Sequence, residues 1–350
     1  MRKPLKPILL SALLLLISLI TTACSQYQDY PIDLEQLSED ERLVIRFSHV
    51  VGEDTPKGMA ARKFAELIKE RSNGRIEVQV FSNGTLYKDK EEMDALLRGD
   101  IQMIAPAISK LTDIVPELSV YDLPYAFDSL EEVHEFAESE AGERLKKLLN
   151  KHNLIVLGLW DSGFKQISND IRPIEHYKDL KGIRMRIMQS NILAQQYYTL
   201  DALPRKIDFN TVFQSLKKGD VEGQENTLSN IASKNLYSLQ KYLTITNHGY
   251  LGYFLLFNLD FWENLSEEDQ KLITETLNEV QEWQWQLAKE LNEQKLQEIE
   301  ECGCVKIYYL SEHEKKEWEK KFAPVYDYYI QRYGNYCIKN LPKYKNDSSG

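Results

Sequence analysis

The sequence predicts a two-lobed α/β protein in which one long helix braces both lobes, and three observations carry that expectation. The first hundred residues alternate strand and helix patterns, the rhythm of a parallel sheet. A second alternation of the same kind begins near Gly163. A helical pattern capped by Ser266-Glu267-Glu268-Asp269 then continues to about Glu301. At ~1.5 Å per residue such a helix outruns the diameter of one domain, so it is expected to bear on two.

The elements follow from local pattern. Residues 43–48 (LVIRFS) are rich in strand formers and open the body. From Met59 to Arg71, Ala60, Phe64, Leu67 and Ile68 fall on one helical face, and Asn73-Gly74 ends the helix. Ile76, Val78 and Val80 alternate with Glu77 and Gln79 as a strand. Lys90 to Leu97 reads as a helix stopped by Gly99, and Ile101 to Ala105 as a third strand. Ser129 and Glu132 have capping-box spacing ahead of a helix reaching about Asn150. Leu154 to Trp160 is almost continuously apolar, as a central strand should be. In the second half, Gly182 to Met188 reads as a strand, Asn191 to Thr199 and Asn210 to Lys218 as helices, and Val221 to Gln224 as a short strand.

Composition narrows the function. With 43% hydrophobic and 28% charged residues, the 350-residue chain can bury a sizeable core, which excludes wholesale disorder. Asp and Glu number 54 against 43 Lys and Arg, a formal charge of −11. That balance disfavours nonspecific binding to nucleic acid or an anionic membrane surface, which depends on neutralising phosphates. A small anionic ligand remains open, because one pocket can invert the sign locally.

Residues 1–24 read MRKPLKPILLSALLLLISLITTAC. Arg2, Lys3 and Lys6 precede an apolar stretch from Ile8 to Ile20 that is shorter than the ~20 residues of a membrane span. Small residues then lead to Cys24. The segment resembles a bacterial lipoprotein signal, with 1–23 removed and Cys24 lipid-modified. Export is expected, with the polar stretch 24–41 as a tether to the membrane surface.

Catalysis finds no support. There is no Gly-x-Ser-x-Gly elbow, no His-Glu-x-x-His helix and no Gly-x-x-x-x-Gly-Lys phosphate loop. The six histidines, at 49, 134, 152, 176, 248 and 313, have no metal-ligand spacing. No enzyme activity, metal or cofactor is expected. Cys302-Gly303-Cys304 is too tightly spaced for an easy internal disulfide, and either cysteine could pair with Cys337; free thiols are the simpler expectation.

One strand stands out. In Ile183-Arg184-Met185-Arg186-Ile187 the period of two puts the apolar residues on one face and both arginines on the other. By spacing alone that face is either solvated or an anion clamp, since the planar Arg fork binds both oxygens of a carboxylate. Around it lie FSHVVGEDTPKG (47–58), LYKDKEE (86–92), APAISK (105–110), DLPYAF (122–127), GFKQISN (163–169), DLKGIRMRIMQS (179–190), GDVEGQENTLSN (219–230) and TNHGYLGY (246–253). In this order, over about residues 42 to 335, the segments resemble the solute-binding proteins of tripartite ATP-independent periplasmic (TRAP) transporters, the DctP family. They look most like the branch that binds C4-dicarboxylates such as succinate, fumarate and malate.

The resemblance implies a periplasmic-binding-protein-like fold whose interlobe cleft closes on an organic acid and delivers it to a TRAP permease. It also leaves room for a co-sensor of a membrane histidine kinase, or for sialic, keto, sugar or aromatic acids. Lobe I is expected at 42–162 plus 250–290, lobe II at 163–249 plus 291–340, and a flexible tail at 341–350. Arg186 falls on the family's carboxylate-clamping arginine, Asn226 on the asparagine that assists it, and Phe209 on its aromatic position. Lys165 sits where members carry a second basic residue, and Arg184 keeps the solvated reading. A second carboxylate needs its own cation or donors if it is not to be buried unpaired. Candidates are His49, Lys88, the pair Ser109 and Lys110, and the hydroxyls of Tyr250 and Tyr253 at the interlobe crossover.

Overall fold

The computed structural model describes residues 42–345. The leader expected at 1–23, the lipid anchor expected at Cys24 and the tether expected at 24–41 lie outside the described residues, as do residues 346–350. From Leu43 onward the chain is one compact unit that holds two sheets. Its strands are β1 (Leu43–Ser48), β2 (Ile76–Phe81), β3 (Met103–Ile104), β4 (Leu154–Phe164), β5 (Gln166–Asn169), β6 (Arg184–Ile187), β7 (Leu203–Lys206), β8 (Gly223–Asn226), β9 (Tyr242–Ile245), β10 (Tyr250–Asn258) and β11 (Lys306–Tyr309).

The first sheet has the order β2-β1-β3-β10-β4 and the second β11-β9-β5-β8-β6-β7. As the opening rhythm predicts, β1 runs parallel to β2 and β3, and β10 enters antiparallel between β3 and β4. In the second sheet β6 is parallel to β7 and β8, while β5 is antiparallel to β8 and β9. The first helix begins at Pro56, three residues before the apolar periodicity becomes visible. The Thr55 side chain accepts from the Gly58 N–H and Pro56 occupies the first helical turn, where its missing donor costs nothing.

The helix expected from Ser129 to Asn150 is two helices, Leu130–Glu138 and Glu140–Asn150. Ser139 takes an extended conformation (φ −68°, ψ 165°), and its hydroxyl caps the second helix through the Gly142 N–H. At the start of the stretch expected as tail, Leu341 is instead buried and Lys343 Nζ donates to the Tyr125 carbonyl at 2.6 Å. Cys302 and Cys304 form a disulfide, against the expectation of free thiols. Gly303 between them has φ +60°, the left-handed conformation that turns the chain back on itself after the helix. Cys337 is free and buried.

The chain passes from the first sheet to the second at Lys165 and returns through residues 246–249. The crossings touch, because the Lys165 N–H donates to the Gly249 carbonyl at 2.8 Å. The long helix, Glu267–Cys302, runs past both sheets. Gln284 exchanges two hydrogen bonds with the Asp161 backbone (2.8 and 2.6 Å) and Trp285 Nε1 donates to the Leu159 carbonyl (2.9 Å). Farther along, Asn292 donates to the Ser162 carbonyl (2.7 Å) and accepts from the Ser229 N–H (3.0 Å) of the helix Leu228–Ser233. The helix Ala323–Tyr333 also bears on both halves. Tyr329 and Tyr326 donate to the carbonyls of Glu117 and Pro124, while its apolar face shares a core with Ile192 and Leu193. Among the described residues no helix is long and apolar enough to cross a membrane.

Candidate functional site

The C-terminal ends of the parallel strands β1, β3, β6 and β8 open onto one small cavity between the sheets, the place where α/β sheets gather ligands. Val50, Val51, Lys57, Asp89, Ala107, Lys110, Leu251 and Tyr253 line it from the first sheet's side. Arg186, Met188, Asp208, Phe209, Asn226 and Asn230 line it from the other.

Arg186 is 2% exposed, and its Nε donates to the Ile207 carbonyl at 2.8 Å. Among the described residues its two terminal nitrogens donate to no protein acceptor, and no carboxylate lies within 4.0 Å of them. Burial pulls the guanidinium below its usual range while Asp89, Glu225 and Asp208 pull it back; an arginine stays charged throughout. A desolvated guanidinium whose fork meets no protein acceptor has the chemistry to take a carboxylate. Asn226 stands beside it in the wall. Its amide oxygen accepts from the Thr227 N–H (3.1 Å) and Asn230 Nδ2 (3.0 Å), which leaves its Nδ2 donors for the cavity. Phe209 packs on Val50 and Val51 and closes that side with an apolar surface. Arg184, by contrast, is partly exposed and holds Glu222 at 3.0 Å, a surface ion pair.

Of the expected second-carboxylate groups, Lys110 reaches the cavity, and so does Tyr253. Lys110 is already engaged with Asp89, through the backbone carbonyl and through Oδ1 at 2.5 Å. Burial alone would raise the Asp89 carboxyl, but Lys110 and the Phe209 N–H hold it down. Tyr250 points elsewhere, donating to Asp161 Oδ1 at 2.5 Å. Ser109 donates to Asp122 Oδ1, and Lys88 is exposed. His49 is buried with neither ring nitrogen bonded, and burial lowers it to about 3, so it is neutral.

Lys165 is also absent from the cavity wall. Its Nζ lies 2.8 Å from Glu225 Oε1, both side chains fully buried. The other Glu225 oxygen accepts from His248 Nε2 at 2.8 Å and from the Tyr197 hydroxyl at 3.3 Å. Burial alone would raise Glu225, yet Lys165 and His248 overcome it and hold the carboxyl at about 2. Burial lowers His248, so the neutral ring donates through Nε2, since a carboxylate only accepts. The cluster is a neutral clasp that ties both crossings to β8, one residue from Asn226.

Lys57, Asp89 and Asn230 are among the wall residues that sequence reasoning missed. Lys57 carried a signal: a cation in the first turn of a helix opposes the helix dipole, so something else must hold it there. Asp89 fastens the two halves over the cavity. Its Oδ2 accepts from the Phe209 N–H (3.1 Å) and its own N–H donates to Asn210 Oδ1 (3.1 Å). Lys90 with Asp208 (3.2 Å) and Ser233 with Asp54 (2.6 Å) add to this latch.

Comparison with known proteins agrees with this architecture. The sequence matches the family model described as bacterial extracellular solute-binding protein, family 7 (DctP), over residues 47–332. It is 43% identical over 316 residues to the C4-dicarboxylate-binding protein DctB of Bacillus subtilis, covering 90% of each chain. A TRAP periplasmic solute-binding protein from Sulfurospirillum deleyianum, solved with bound succinate, is 34% identical, with a TM-score of 0.83 over 86% of this chain and 98% of that one. Another from Pseudomonas aeruginosa, with bound L-malate, is 33% identical, with a TM-score of 0.80 over 82% and 99%. The chain therefore belongs to the DctP family of bacterial extracellular solute-binding proteins.

Proposed function

We propose that the protein captures a C4-dicarboxylate of the succinate, fumarate or malate type and delivers it to a TRAP permease. One observation carries the reading: the Arg186 fork, buried and unfilled, faces a cavity walled by both halves. Arg186 grips one carboxylate, Asn226 donates to it, and Phe209 keeps water from the ion pair. The ligands of the B. subtilis, S. deleyianum and P. aeruginosa relatives support the choice of acid. Calorimetric titration with succinate, fumarate, malate, butyrate and sialic acid tests it. One-to-one binding confined to the diacids is expected, and preference for butyrate or sialic acid overturns the ligand.

Sheet membership supports lobe I as 42–162 plus 250–290 and lobe II as 163–249 plus 291–340, with the C-terminal helices shared. The latch is part of the function. Asp89→Ala removes a charged acceptor from the Phe209 N–H, worth about 1.5–3 kcal/mol, and should weaken binding by about 10-fold or more. The loss should appear in the dissociation rate measured by stopped flow, because closure governs release. Outside the described residues, lipid-modified Cys24 fixes the protein to the outer face of the membrane. Cys24→Ser should move it from the membrane fraction to the soluble one; retention in the membrane would reject the anchor.

A further inference from the structure

Among the described residues, two cations face the cavity with no carboxylate within 4.0 Å, one from each half. Arg186 is the first and Lys57 the second. Lys57 is 1% exposed, and its Nζ donates to the Ala105 carbonyl at 2.7 Å. The same ammonium lies 3.7 Å above the ring centre of Tyr253, which covers another side with π density. An ammonium has three donors, and the Ala105 carbonyl takes one. Among the described residues no carboxylate lies within 4.0 Å of this nitrogen.

The other lysines considered for the role are engaged or outside. Lys110 is held by Asp89, Lys165 by Glu225, and Lys88 is exposed. Two buried carboxyls lie in the neighbourhood of Lys57, both beyond 4.0 Å from its nitrogen: Asp89 is held by Lys110, and Glu92, which accepts from Ser48 Oγ at 2.9 Å, is raised by burial to about 7 although Lys57 pulls it down. His49, close by, is neutral. Burial lowers the Lys57 ammonium to about 7, with Glu92 and Asp89 pulling it up and Lys110 pushing it down. The protein alone thus supports this charge incompletely, and a second anion in the cavity completes it.

We propose that Lys57 pairs with the distal carboxylate of the bound dianion and so sets the preference for diacids over monoacids. The inference rests on the reading of the cavity as a dicarboxylate site with Arg186 on the proximal carboxylate. A monoacid satisfies Arg186 and leaves Lys57 buried beside an alkyl end. A diacid satisfies both cations at once, with one from each half, and so links the halves through the ligand. Lys57 then discriminates by penalty as well as by attraction, since a ligand lacking the second charge desolvates the ammonium without pairing it.

The test is calorimetric titration of the protein and of Lys57→Met with succinate and with butyrate, which has the same chain length and one carboxylate. In Lys57→Met the affinity for succinate should fall by about 30-fold or more, as expected when one partner of a buried charge pair is truncated. Affinity for butyrate should hold or rise, so that the preference for succinate collapses. If the preference keeps its original value, or if both acids lose equally, Lys57 is a structural prop and the proposal is overturned. Should Lys57→Met fail to fold in a thermal scan, Lys57→Gln keeps a donor for the Ala105 carbonyl without the charge, and the same collapse is required of it. An unsubstituted protein that binds succinate no better than butyrate instead overturns the dicarboxylate reading itself, before any variant is made.

Discussion

Arg186→Ala is expected to abolish measurable binding of the organic acid while the protein stays folded. Truncating one partner of a desolvated, hydrogen-bonded charge pair costs about 2–5 kcal/mol or more, which is about 30- to 5,000-fold in affinity. The fold should survive because Arg186 contributes one internal hydrogen bond, to the Ile207 carbonyl, and no ion pair within 4.0 Å among the described residues. Removing it also removes a buried charge that burial disfavours. Arg186→Lys should recover only part of the loss, since a point charge lacks the planar fork. Calorimetry reads the binding and a thermal scan the fold; undiminished affinity in a folded Arg186→Ala protein would discard the clamp.

The second large effect is on stability. Lys165→Met leaves the buried Glu225 carboxylate with only neutral donors from His248 and Tyr197. Breaking a buried pair from one side typically destabilises by about 3–5 kcal/mol. The double variant Lys165→Met/Glu225→Leu, which removes both charges, should recover much of that, and denaturant unfolding of the four proteins measures the coupling. The cluster also sets a pH dependence. The folded Glu225 carboxyl, held at about 2, lies below its unfolded value of about 4.3. Its stabilisation is therefore complete above that unfolded value and is lost as the pH falls through about 2. Glu225→Gln should flatten the acid limb of the unfolding profile; an unchanged limb would mean that Glu225 contributes nothing to it.

How much of this could be read in the sequence depended on the strength of each local pattern. The helix Asn191–Thr199 has the expected bounds because the Ser190 hydroxyl caps it and its apolar face is regular. The long helix ends within one residue of its expected end, at Gly303. The strands β5 (QISN) and β7 (LPRK) were invisible because each is only four residues long and mixes polar with apolar side chains without a readable alternation. β10 was unreadable as a strand for the opposite reason, being buried at every position. In the site, Arg186 and Asn226 were legible through segments that resemble a family. Lys165 was read as facing the ligand because nothing in its segment reveals Glu225, sixty residues away and across the sheet. Lys57 was overlooked because the helix was read from Met59, which leaves Lys57 in a turn where a lysine reads as surface charge; the tertiary structure buries it over the Tyr253 ring.

The meeting of Gly163, Lys165, Gly249 and Asn292 amounts to a fulcrum. Gly163 has φ +116°, and a Cβ there would come within 2.9 Å of Asn292 Nδ2, so the long helix rests directly against bare backbone. Were one half to turn about this point, it would travel least here and farther at the Asp89–Phe209 latch, as the arm of a lever does. Any side chain at 163 would reset the resting angle of that lever, and the ligand's residence time with it, without coming near the cavity.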